Sequence, residues 1–123
     1  MISEEEFYFS FGYCVFMLAL FLFFKAFPPK KINHLYGYRT PRSMANQIVW
    51  LDANTYSLKL GVKVMTWCLM LPLLYFLIWP EKILLATIIT HSISLFIIIA
   101  GTERYLNDRY DKKGQPKNQN SKD

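Results

Sequence analysis

Charge is scarce in this sequence. Asp, Glu, Lys and Arg make up 19% of its 123 residues, against about 25% in an ordinary soluble domain. Phe7 to Phe24 and Ile83 to Thr102 carry no charge at all. Val64 to Trp79 is a third uncharged run, lengthened by Leu60, Gly61 and Val62 once Lys63 snorkels its amine to an interface. A soluble fold of this size buries only about two-thirds of its unfolded surface, and a chain that is 53% hydrophobic, with ten Phe, eight Tyr and three Trp, has too little polar surface to cover it. About twenty apolar residues cross a bilayer's hydrocarbon core, so the three runs read as three membrane spans. A soluble enzyme and a disordered chain are excluded.

Cysteine is nearly missing too. The two present, Cys14 and Cys68, fit no metal spacing and no disulfide framework. Each falls inside a span, where a thiol acts as a small apolar packing group. No Ser/His/Asp or Cys/His combination lies on one connecting element, and no His/Glu pair has the spacing of metal ligands. The sequence therefore offers no catalytic, metal or cofactor site, and the expectation is a protein that is not an enzyme. His34, alone in a basic loop, carries no signal.

Basic residues are missing before the first run, where Glu4, Glu5 and Glu6 stand instead, so that run is not a secretory signal peptide. Acid is missing from the connection between the first two spans. Lys25, Lys30, Lys31, Arg39, Arg42, Lys59 and Lys63 flank or fill it, with Asp52 as its one acid, and the segment after the third span is also rich in Lys and Arg. Both basic segments belong on the cytoplasmic side, which sets the N-terminus outside and the C-terminus inside. Three spans require the same arrangement. The net charge of +5 thus reports topology and attraction to anionic lipid, not direct nucleic-acid binding.

The spans read as residues 7–27, 60–79 and 83–104. Phe7, Tyr8 and Phe9 at one end and Trp79 at the other supply an outer aromatic belt, and Pro80-Glu81-Lys82 turns the chain back on itself. Residues 1–113 form a single membrane domain. Residues 114–123 are Gly, Gln, Asn, Lys, Pro, Ser and Asp without an apolar anchor, and read as a disordered polar tail.

The connection holds most of the information. Pro28 and Pro29 end the first helix, and Gly37 suits a tight turn. Thr40-Pro41 reads as a helix start, with Thr as N-cap and Pro at the first helical position. From there to Leu58 the pattern is helical and two-faced. Met44, Ile48, Leu51, Thr55, Leu58 and Val62 share one stripe; Asn46, Trp50, Ala53, Asn54, Ser57 and Gly61 share another. The prediction is an amphipathic cytoplasmic helix over about 41–58, lying on the bilayer surface or against the bundle. Its second stripe is either a packing seam with structural amides or the floor of a binding groove.

Tyr36-Gly37-Tyr38-Arg39-Thr40-Pro41-Arg42-Ser43-Met44, followed by Asn46, Trp50, Ala53 and Asn54, resembles the signature of the SdpI family, in a short three-span form. The family takes its name from an immunity protein that protects a bacterium from its own secreted toxin. The signature covers residues 36–54, and span order extends the likeness over most of residues 7–105. The resemblance implies a multi-pass protein of the bacterial cytoplasmic membrane, without a cofactor, that protects against or senses a membrane-active toxin or peptide. A membrane or repressor protein is the kind of partner it implies. Two other classes fit the residues: a lipid- or peptide-binding transport component, and an accessory subunit that packs a partner against Trp50.

Three further positions bear on function. Arg39, with Arg42 beside it, precedes the predicted helix start, where a lipid phosphate or a peptide carboxylate would meet both guanidinium forks and the dipole end. Alternatively Arg39 pairs with Glu103 or Asp52. His91 lies deep in the third span on a stripe with Thr87, Ser94, Ile98 and Gly101, placed to carry a proton, touch a ligand or bridge helices. Glu103 closes that span within reach of Arg39, Arg42 or Lys63.

Overall fold

The computed structural model describes residues 2–117, and the side chains from Glu4 onward. Four helices follow one another: α1 (Ile2–Ala26), α2 (Gln47–Cys68), α3 (Leu71–Ile78) and α4 (Ile83–Arg109), with a single 3-10 turn at Pro80–Lys82. Three stretches are long and apolar enough to cross a membrane: Glu4–Ala26, Gln47–Ile78 and Pro80–Arg109. α1, α2 and α4 each pack against the other two. One end of the bundle carries the α3–α4 turn and the start of α1, where Glu6 accepts the backbone N–H of Leu84 at 3.2 Å. The other end carries the 27–46 connection together with the segment after α4, so the two basic segments do share one side.

The outer surface is greasy, as a lipid-facing surface is: Trp67, Phe96 and Leu77 are 72%, 71% and 81% exposed. Lipid tails are as apolar as Leu, so burying such side chains between helices gains little, and close backbone approach holds the bundle instead. Gly61 of α2 provides it, since a Cβ there would stand 2.2 Å from the Phe21 ring of α1.

The second span is not one straight helix. Pro72 has no N–H for the Cys68 carbonyl and crowds it, and the chain answers with tightened bonds, Leu69 N–H to Thr66 O at 3.3 Å and Met70 N–H to Trp67 O at 3.1 Å. α3 then continues toward Trp79.

No separate surface helix spans 41–58. The start signal at Thr40 is obeyed: Thr40 N–H donates to Ser43 Oγ (2.8 Å) and Ser43 N–H to Thr40 Oγ1 (3.2 Å), a reciprocal cap. Yet the turn closes after Met44 N–H to Thr40 O at 3.0 Å and Ala45 N–H to Arg42 O at 3.3 Å. Asn46 is extended (φ −160°, ψ 174°), and its side chain caps a new helix by accepting Val49 N–H at 2.9 Å. That helix, α2, runs from Gln47 through Lys59 into the span without a break. The reason is which stripe gets buried. Trp50, Ala53, Asn54, Ser57 and Gly61 are buried, while Ile48 and Leu51 are 70% and 46% exposed. The small and amide-bearing stripe faces α1, α4 and the 29–38 connection, and this binds α2 into the bundle.

At the connection end α2 and α4 stand together and build a small core of Val49, Ala53, Leu106 and Tyr110, covered by Tyr38 and Tyr105. Residues 114–117, read from composition as the start of a disordered tail, are ordered here. Asp111 Oδ1 accepts the N–H groups of Lys113 (2.8 Å) and Gln115 (2.9 Å), and Lys117 N–H reaches Arg109 O at 2.9 Å. The Asx turn that orders them is set by Asp111, which precedes the 114–123 stretch. Residues 118–123 of that tail lie outside the described residues.

Candidate functional site

The signature residues gather at the connection end, and most of them hold the connection in place. Gly37 has φ +110°, open to Gly and strained for other residues, and a Cβ there would meet Asn54 Oδ1 and Pro29 Cγ, each at 2.8 Å. Its neighbour Tyr38 donates its N–H to Asn54 Oδ1 at 2.7 Å. Asn54, 2% exposed, returns its amide N–H to Trp50 O at 3.0 Å. Trp50 is fully buried and donates Nε1–H to Pro29 O at 2.6 Å. These contacts close both ends of the 29–38 loop on α2. The seam with structural amides describes this stretch of α2.

Glu103 forms a second fastening. Its Oε1 accepts the hydroxyls of Tyr38 (2.7 Å) and Thr40 (2.6 Å), and its Oε2 lies 3.8 Å from Arg42 Nε. Burial first, and then the hydrogen bond and charge of Glu103, hold the Tyr38 phenol well above its ordinary pKa. Arg42 also donates to Tyr110 O at 3.1 Å.

Arg39 takes no part in this. It is exposed and donates to the carbonyl of His34, so Arg42, not Arg39, faces Glu103. Nor does Arg39 adjoin a long helix start, because α2 begins at Gln47 and Asn46 already caps it. Asn46 further donates Nδ2–H to Gly114 O at 2.9 Å and ties in the turn after α4. Met44 is half-buried with its N–H on Thr40.

Tyr105 and Tyr110 were not candidates in the sequence, and Ser43 stood in the signature without a role of its own. Asp52, noted as the one acid of a basic stretch, accepts Tyr105 OH at 2.8 Å on one oxygen and Tyr110 OH at 2.7 Å on the other. Burial and that bond push the Tyr110 phenol up to about 12. Ser43, fully buried, donates Oγ–H toward Tyr38 O or Thr40 O, each 3.0 Å away. The lone acid was a usable signal; its tyrosine partners lie at and just beyond the end of α4 and gave none.

His91 is fully buried in the middle of the bundle. Its Nε2 meets Met65 Sδ of α2 at 2.9 Å, its Nδ1 lies 3.9 Å from Cys14 Sγ of α1, and Tyr13 packs edge-on with ring centroids 4.8 Å apart. These neighbours fit a bridge among three helices. Among the described residues no group of three or more His, Cys, Asp or Glu is placed to hold a metal ion.

One space beside the signature is open. A cavity of about 360 Å³ lies between α1, α2 and α4, walled by Leu20, Phe21, Leu58 and Ile98 and closed at the connection end by Gly37 and Tyr38. Its lining is almost wholly apolar, with Ser57 as a small polar exception. Such a space suits an aliphatic or aromatic group and has no charge to recognise an ion.

Residues 30–102 match the model of the SdpI/YfhL protein family. The chain is 50% identical over 46 residues to "Uncharacterized protein YfhL" of Bacillus subtilis (strain 168), a stretch that is 37% of this chain and 42% of that protein. The match thus spans under half of the relative's length. No solved structure matches.

Proposed function

This chain belongs to the SdpI/YfhL protein family, and on that premise we propose that it protects its membrane against, or senses, a membrane-active toxin or peptide. It acts by binding and not by catalysis. It sits in the bacterial cytoplasmic membrane with the connection end inside, the orientation that the basic residues of that end favour.

The observation that carries this reading is the apolar cavity closed by the signature turn. A membrane-active peptide presents apolar side chains at bilayer depth, and the cavity accepts one such group from within the bilayer. Tyr38 lines the cavity and also donates its hydroxyl to Glu103. Occupancy is therefore felt at the fastening of the connection, the element through which a cytoplasmic partner would read it.

The test is a deletion strain challenged with secreted membrane-active peptides and complemented by variants. Ile99, 44% exposed and part of the cavity wall, is changed to Trp to fill the space from its lipid-facing side. Sensitisation of the deletion strain, rescued by the wild-type gene and not by Ile99→Trp at equal membrane abundance, supports the reading. Rescue by Ile99→Trp removes the cavity from it. A deletion strain that resists every peptide as well as the parent does would end it.

A further inference from the structure

A second space, of about 450 Å³, opens between α2 and α4 on a different face of the connection end. Its wall includes Thr55, Lys59 and Lys63 from α2, with Tyr56 and Tyr105 alongside. The two aromatic rings stack at 3.9 Å and 10°, and the Arg109 guanidinium rides 4.5 Å from the Tyr105 centroid. We propose that this groove holds the phosphate headgroup of an anionic phospholipid, with Lys59 and Lys63 as its ligands.

Three observations lead there. The first is charge without a partner. Asp52 borders the groove with a tyrosine hydroxyl on each oxygen, and its single negative charge leaves the two lysines with a net positive charge there. Among the described residues the one ion pair is Arg42 with Glu103, so neither lysine has an acidic partner.

The second is position. Lys59 and Lys63 are one turn apart on one stripe, about 6 Å along the axis, and stand at the connection-end border of the uncharged run from Val64 to Trp79, in a stretch (Gln47–Ile78) long and apolar enough to cross a membrane. Side chains on a helix lean toward its N-terminus, so both ammonium groups reach back toward Thr55, out of the hydrocarbon and into the headgroup layer. A soluble anion has no reason to meet them at that depth; a lipid phosphate is already there.

The third is the wall. Leu60 lines the groove beside the two lysines, and the uncharged run Val64 to Trp79 continues directly below. A phosphate on the lysines leaves its acyl chains against that apolar surface. Basic pockets between spanning helices are where anionic headgroups bind. This site is separate from the apolar cavity and stands whether or not a peptide occupies that cavity.

The experiment is thermal unfolding of the purified full chain in mixed micelles. Phosphatidylglycerol is compared with phosphatidylcholine, and inorganic phosphate is the third arm. Wild type should gain several degrees from phosphatidylglycerol over phosphatidylcholine, and millimolar phosphate should give no such gain. Lys59→Gln/Lys63→Gln should lose the gain while keeping the wild-type midpoint in phosphatidylcholine. Lys59→Arg/Lys63→Arg should retain it, as should Lys30→Gln/Lys31→Gln. Equal midpoints for wild type in both lipids would overturn the proposal, as would an undiminished gain in the double Gln variant. A shift from inorganic phosphate as large as that from lipid would overturn it in favour of a soluble anion.

Discussion

The side-chain oxygen of Asn54, in the middle of a helix, accepts the backbone N–H of Tyr38 sixteen residues earlier in the chain, at 2.7 Å. A mid-helix amide has thus replaced the missing secondary structure of the connection as the acceptor for a backbone donor. Asn54→Leu keeps the number and branching of the side-chain heavy atoms and removes both halves of the exchange, leaving Tyr38 N–H without its acceptor. Loss of one partner of a buried bond costs about 1–3 kcal/mol. The expected result is a lower unfolding midpoint and faster proteolysis within residues 30–40, with the spans still inserted.

Two glycines should respond oppositely to the same change. Gly37→Ala sets a Cβ against Asn54 and Pro29 at φ +110°, and such backbone strain costs of order 1–3 kcal/mol. Gly12 lies on α1 with nothing within 4 Å of a built Cβ, and Ala there gains helix propensity. Thermal unfolding should show Gly37→Ala clearly destabilised and Gly12→Ala unchanged or slightly more stable.

Arg39 and Glu103 should not behave as a pair. Glu103→Ala leaves the Thr40 hydroxyl without its acceptor, and leaves Tyr38 and Arg42 with only the carbonyls of Ile99 (3.2 Å) and Tyr110 (3.1 Å), an expected loss of about 1–3 kcal/mol. Arg39 is exposed with one bond to a loop carbonyl, so Arg39→Ala should stay within about 0.5 kcal/mol of wild type. In a double-mutant cycle the two should add, whereas Glu103→Ala and Tyr38→Phe should couple.

Alkaline pH should loosen the connection end. Tyr110 is raised from 10.0 to about 12 in the folded chain, so the fold favours the neutral phenol. That contribution is complete below pH 10, the unfolded value, and is lost as pH rises toward 12. Tyrosinate absorbance during titration should show a late-ionising phenol that disappears in Tyr110→Phe. The wild type's loss of thermal stability between pH 10 and 12 should be smaller in that variant. An unchanged titration curve would mean that Tyr110 is not held neutral by Asp52.

The sequence by itself determined the class. Three uncharged runs cannot be hydrated, so three spans follow from composition and spacing alone, and the Lys and Arg distribution set both basic segments on one side. That Trp50 and Asn54 share one face was also legible, because small and amide-bearing residues recurred at helical spacing, but a seam and a groove floor read alike there. Only the tertiary structure decided what that stripe does. Periodicity marks a face but cannot say what covers it, so a helix expected on the bilayer surface or against the bundle became the first half of α2 once α1, α4 and the 29–38 loop covered its small-residue side. The same limit explains Glu103. Arg39, Arg42 and Lys63 all stood within reach of it in one dimension, with Arg39 the named pairing; the reciprocal Thr40–Ser43 turn aims Arg42 at the carboxylate and leaves Arg39 outside. The Asp52–Tyr105–Tyr110 cluster joins residues more than fifty positions apart, and no local pattern encodes it, because the bonds exist only after α2 and α4 have met.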